Sequence, residues 1–241
     1  MGLYRERGIV LRTIKLGEAD RIVTLVTEGH GKLRAVAKGV RRTKSRFGAR
    51  VEPLSHVALL CYEGRNLDTI TQAEVLEHFR PVREDLGRLS RALILLEVVD
   101  AVVQEGEDDP RLYQMLLGAL RTLAAGEAPL LVPAFIWKLL DQQGFRPTLD
   151  ACARCGTTGD VEALEAFDPG EGGVLCRACR RGTRITPDAV ALLRRILGGD
   201  LVGVLAESAT TASAELEHLA TRTLEHHLER RLRTPGLLDP A

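Results

Sequence analysis

The chain has 241 residues, 45% of them apolar and 27% charged, a balance that suits a folded globular protein and excludes global disorder. No run of 18 apolar residues exists, so a transmembrane helix is not expected, and the first residues carry no signal-peptide pattern, which places the expected site of action in the cytoplasm. Formal net charge is zero, yet residues 1–80 hold 15 Lys/Arg against nine Asp/Glu, leaving 18 against 24 in the remainder. The first third is therefore basic enough to suit an anionic partner that the average conceals.

In chain order, Gly8–Ile14, Arg21–Thr27, Leu33–Lys38, Ser55–Tyr62 and Leu67–Val75 are short runs rich in β-branched residues, with Gly29-His30-Gly31-Lys32 and Glu63-Gly64-Arg65-Asn66 as turns. Five strands in under 80 residues predict a small closed barrel of the OB-fold type; an SH3-like barrel or an open meander also fits the count. Between the third and fourth strands, Lys38, Arg41, Arg42, Lys44, Arg46 and Arg50 put six cations into 13 residues with no acid among them. Gly39, Ser45 and Gly48 make this a loop, able to follow a phosphate backbone without reading bases. Arg34, with Lys15, Arg21 and Lys32, would widen the surface. Aromatic residues are only 4% of the chain, so stacking is secondary; Phe47, inside the loop, is the one ring expected to be exposed for it.

From Pro81 the period becomes helical. Leu86, Leu89, Leu93, Leu96 and Val103 predict one apolar stripe along a helix ending near Gly106. Asp109-Pro110 caps a second helix that stops near Gly126, and a third spans about 130–143 with Gly144 as its left-handed cap. Thr186-Pro187 starts a fourth, closed by Gly198-Gly199, and the last covers about 213–232. Cys152-Ala153-Arg154-Cys155 and Cys176-Arg177-Ala178-Cys179 interrupt this helical region at the spacing of a zinc ribbon. Each two-residue gap lets one turn present two thiolates to one ion, and two such turns close a tetrahedron. Four cysteines leave no open position, so one structural Zn2+ held by Cys152, Cys155, Cys176 and Cys179 is expected. A redox pair or an iron–sulfur cluster are the rival uses. Arg154, Arg177, Arg180, Arg181 and Arg184 either offset the charge of the thiolates or touch phosphate.

The expected architecture is thus α+β and multidomain: an OB-fold nucleic-acid-binding domain over 1–80, a helical domain over 81–149 and 184–241, and an inserted zinc module over 150–183. No phosphate loop and no His-Glu-x-x-His motif occur. The acidic run Glu105-Gly106-Glu107-Asp108-Asp109 belongs to a helix boundary rather than a nuclease site, and no catalytic residues and no small-molecule substrate are expected.

Gly8-Ile9-Val10-Leu11-Arg12, Gly17–Leu25, Gly31–Gly39 followed by Arg41-Arg42, Leu67–Glu74 and the paired cysteines resemble the bacterial RecO family of DNA repair proteins over nearly the whole chain. The resemblance implies a recombination mediator that binds single- and double-stranded DNA, anneals complementary strands, works with RecR, and helps RecA replace single-strand-binding protein, whose acidic C-terminal tail the helical domain holds. It carries a DNA-contacting role onto Lys38, Arg41, Arg42, Lys44 and Arg46. A zinc-ribbon RNA-binding or transcription-associated module, and a protein scaffold without DNA contact, are the alternative readings of the residues.

Overall fold

The computed structural model describes residues 2–41, 45, 47–158 and 164–233, which divide into two compact units at Gly126. In the first, strands β1 (Leu3–Leu16), β2 (Asp20–Thr27), β3 (Lys32–Ala37), β4 (His56–Tyr62) and β5 (Asp68–Glu77) close a barrel in the order β1-β2-β3-β5-β4. All neighbours are antiparallel except β3 and β5, the OB-like arrangement expected. Closure depends on β1, which pairs β4 over Leu3–Ile9 and β2 over Gly8–Leu16. A register shift between Val10 and Arg12 bends the strand between its two partners, as bulges at barrel corners do.

Alternating residues fill the barrel: Val10, Val23, Leu25, Leu33, Ala35, Val57, Leu59, Cys61 and Ile70 are buried together. Three more members of this cluster, Val40, Phe47 and Val51, come from the segment between β3 and β4, which ends in a 3-10 turn over Gly48–Val51. Cys61 is thus the small buried residue its strand position suggests.

Among the described residues, three helices complete this unit: α1 (Arg80–Arg83), α2 (Leu86–Val102) and α3 (Pro110–Ala125). The cap read from sequence is in place: Asp109 accepts from Leu112 N at 2.9 Å, with Pro110 in the first turn. Asp85 does the same for Arg88 N at 2.8 Å. The stripe expected on α2 is corrected. Leu86 is 80% exposed and Leu93 39%, whereas Ala92, Ile94, Leu95, Leu96, Val98 and Val99 are buried, and the helix ends at Val102 rather than Gly106. The reason is position: α2 meets α1 and α3 as well as β1 and β2, so it buries a broad face where a helix on a single layer buries a stripe.

In the second unit, α4 (Leu131–Gln142) is nearly enclosed, with Leu131 to Trp137, Leu139 and Leu140 all buried. It packs on α7 (Thr211–Leu228) and α5 (Pro187–Gly198), and a short α6 (Leu201–Leu205) adjoins α5. Thr186 caps α5, and the glycine pair expected to close it does so, with Gly199 in the left-handed region at φ +98°. A three-stranded sheet, β7 (Gly173–Cys176), β6 (Leu164–Asp168) and β8 (Thr183–Arg184), carries the cysteine module. The chain's one tryptophan, Trp137, is fully buried and meets Phe167 of β6 edge-on at 5.6 Å. No helix among the described residues is long and apolar enough to cross a membrane.

Candidate nucleic-acid interface and metal centre

Antiparallel pairing places Lys15 of β1 directly opposite Arg21 of β2, next to the turn that joins them. Like charges across a ladder oppose each other unless water or a counter-ion separates them, so the pair marks a place where anions are welcome. Arg21 is also the register partner of Ala37 at the end of β3, which brings Lys38 to the same end of the barrel. Arg41 is held there too: its backbone N donates to Ala19 O at 3.0 Å and its guanidinium to Glu18 O at 2.8 Å, both in the β1–β2 turn. Asp20 fixes the loop by accepting from Gly39 N at 2.7 Å. Four cations from three segments therefore share one rim, and Lys15, Arg21 and Lys38 form no ion pair among the described residues.

Arg42, Lys44 and Arg46 lie outside the described residues. Arg50 is exposed on the 3-10 turn and lines, with Arg5 of β1, a cleft of about 780 Å³ over Leu60, Gln72 and their neighbours on β4 and β5. Arg5 was not singled out from sequence; its only signal is the outward alternation along β1. Arg34 is half-buried and pairs with Glu105 at 3.3 Å, while Lys32 reaches Asp100 at 2.9 Å. The expectation for Phe47 is corrected: its side chain is 7% exposed and belongs to the barrel core, reaching only the wall of the cleft beside Arg50. A basic loop needs an apolar anchor to keep its course, and in a chain so poor in aromatics this ring supplies it.

The candidate metal centre is built by two turns. Cys152 N donates to Thr157 O at 3.0 Å and Gly156 N to Cys152 O at 2.9 Å, with Gly156 at φ +72°, which curls the first pair around one point. The second pair brackets a 3-10 turn, Arg177–Cys179, at the end of β7. Ala153 N donates to Val174 O at 2.8 Å, tying the first turn to β7. Ligand atoms of Cys152, Cys155, Cys176 and Cys179 all lie within 4.8 Å of one another, so the four thiols expected as ligands do meet and could hold a metal ion. Cys155 Sγ and Cys176 Sγ are 3.8 Å apart. Four thiolates at roughly 2.3 Å from one ion in a tetrahedron stand about 3.8 Å from each other, so the spacing fits. Burial opposes ionisation of Cys152, yet the backbone N–H groups of Cys176, Cys155 and Arg154 outweigh it and bring the thiol down to about 6. Hydrogen bonds from Thr157 lower Cys155 as well, whereas Cys179 is pushed up to about 12, chiefly by its neighbour Cys155, the mutual opposition that a shared cation would relieve.

His218, His226 and His227 stand on α7; His226 and His227 meet edge-on at 5.4 Å and Phe145 stacks on His227 at 3.8 Å. Among the described residues the four cysteines are the only group of metal-ligating side chains drawn together.

The family described as Recombination protein O N terminal matches residues 1–79, and Recombination protein O C terminal matches residues 83–235. A protein of Nocardioides sp. called DNA repair protein RecO is 46% identical over 98% of this chain and 99% of its own length. One of Frankia casuarinae, also called DNA repair protein RecO, is 43% identical over the full length of both.

Proposed function

The chain belongs to the RecO family of DNA repair proteins, and from that premise we propose that it is a recombination mediator that holds DNA by its phosphates at the cationic rim of the barrel. The observation that carries the reading is the convergence of Lys15, Arg21, Lys38 and Arg41 at one end of a closed barrel; Arg42, Lys44 and Arg46 follow in the sequence. Contact with phosphate alone leaves base edges free, so binding is indifferent to sequence and accepts single and double strands. It also lowers the repulsion between two polyanions, and complementary strands held in this way can pair. No catalytic group is needed: the protein acts by binding, in the cytoplasm and on the nucleoid. With RecR, and through the acidic tail of single-strand-binding protein, it helps RecA take over coated single strands.

The metal is one structural Zn2+. The four-thiolate donor set and its spacing support zinc, and a closed sphere leaves no position for a reacting water.

Arg41, Arg42, Lys44 and Arg46 changed together to Ala test the reading. The variant is expected to melt as the parent does, to lose strand annealing, and to show a log–log salt slope flatter by about 2.8, at roughly 0.7 per phosphate contact on single strands. Annealing that continues unchanged at moderate salt overturns it. Matched RNA as competitor separates a DNA mediator from an RNA-binding module.

A further inference from the structure

Beside the metal centre, within the second unit, lies a cavity of about 740 Å³ with Arg177, Arg180, Arg181 and Arg184 in its walls. These arginines come from two places. Arg177 is on the 3-10 turn of the second cysteine pair, and Arg184 is on β8, opposite Ala166 of β6. Neighbouring acids are matched to two of them: Arg180 to Glu165 at 3.1 Å, and Arg181 to Asp168 at 3.6 Å and to Glu171. Nothing matches the others. The side chains of Arg177 and Arg184 are exposed and form no ion pair or hydrogen bond among the described residues, although both residues line the same cavity.

We propose that this cavity is a second phosphate-binding site for the backbone of a nucleic-acid strand, with Arg177 and Arg184 as its contacting residues. Cations that merely offset the charge of the thiolates have no reason to converge on a hollow from two segments. A guanidinium offers a fork of donors that fits two phosphate oxygens, and it is always charged. The composition of the walls chooses between a nucleic acid and an acidic peptide. Leu164, Ala166 and Ile185 form the floor, none of them more than 2% exposed, and Pro187 is the one exposed apolar residue in the walls, a small foothold for a peptide side chain. Four guanidinium groups stand around that floor, the equipment for phosphate contact without base readout. The site gives the second unit a grip of its own on a strand.

The inference rests on the proposed DNA binding, and the test keeps the two apart. Full-length, zinc-loaded protein is titrated with a fluorescent single-stranded oligonucleotide across a salt series. Parent protein is compared with R177A/R184A, with R177K/R184K, and with Arg184→Gln alone. Zinc content and Trp137 emission report whether each variant is folded. The double alanine variant is expected to bind more weakly, with a slope flatter by about 1.4, and Arg184→Gln by about 0.7. The lysine variant should recover the slope, because it keeps the charge. A folded double alanine variant with unchanged affinity and slope, beside a parent that binds, overturns the second site alone. A parent that does not bind at all overturns the proposed function itself. If the same substitutions abolish binding of a labelled oligo-glutamate peptide while leaving DNA binding intact, the cavity belongs to a peptide and the proposal fails.

Discussion

His56 joins a strand to a helix inside the first unit: Nε2 lies 2.8 Å from Tyr113 Oη of α3, and Nδ1 lies 3.2 Å from Glu77 Oε1 of β5. Burial lowers its pKa, and the opposing pull of Glu77 does not make up the difference. In the neutral ring Nδ1–H donates to the carboxylate and Nε2 accepts from the tyrosine. The unfolded chain takes up a proton near the ordinary value of about 6.5, while the native ring resists it. The contribution of His56 to stability is therefore complete above about 6.5 and is lost as pH falls towards the lowered native value. Two carboxylates extend the same trend to lower pH. The bonds from Arg121 hold Glu77 below its usual 4.5, and Asp100, although burial works against it, is held below its usual 3.8 by Lys32 and Arg12; what they contribute is present above those values and is lost in acid. Urea midpoints should fall between pH 7 and pH 5, and His56→Gln should flatten that fall; an equal fall in the variant refutes the assignment. None of this was legible in the sequence, because the partners of His56 are 21 and 57 positions away and no spacing rule links them.

At the scale of elements, the same cations that make residues 1–80 basic divide into two classes. Lys32 reaches across from β3 to the end of α2, where its Nζ donates to Asp100 O at 2.6 Å and Val103 O at 3.3 Å and pairs with the Asp100 carboxylate. A cation at a helix C-terminus meets the negative end of the helix dipole. Arg12 on β1 donates to the same carboxylate at 2.7 Å, so Asp100 clamps α2 to two strands. Lys32→Ala should cost about 1.5–3 kcal/mol, the usual worth of hydrogen bonds to charged groups, since Lys32 and Asp100 are only 14% and 18% exposed. It should leave the salt slope of DNA binding where it was. A flattened slope with unchanged stability would put Lys32 on the strand-binding surface instead. Terminal signals were legible at this scale, because caps are local: Asp109-Pro110, Thr186-Pro187 and Gly199 each act on residues within one turn. Burial was not, since Leu86 and Leu93 have the right spacing but face no layer, and Phe47 sits among charges yet plugs the barrel.

For the whole molecule, two cysteine pairs 20 residues apart mark a candidate metal centre in the sequence, but not what it would support. That depends on long-range packing. Thr148, just after α4, exchanges bonds with the strand that leads into the second pair: Val174 N donates to Thr148 O at 3.0 Å, and Thr148 N to Gly172 O at 2.9 Å. The approach is so close that a Cβ on Gly173 would stand 2.3 Å from Thr148 O. From the other side, Phe167 of the ribbon sheet lies against Trp137, whose Nε1 donates to Leu216 O of α7 at 3.4 Å. The ribbon is thus one wall of the core around α4, and loss of the ion should be felt there, since the binding energy of a structural metal is folding energy. Bound metal should measure one zinc per chain. Stripping it with a chelator, or replacing Cys152 and Cys176 with Ser, should lower the melting temperature and shift the emission of Trp137, now fully buried, to longer wavelength. Protein freed of all metal that keeps both its melting temperature and its emission would show that the four thiols are dispensable for the fold, and the structural assignment of the ion would be wrong.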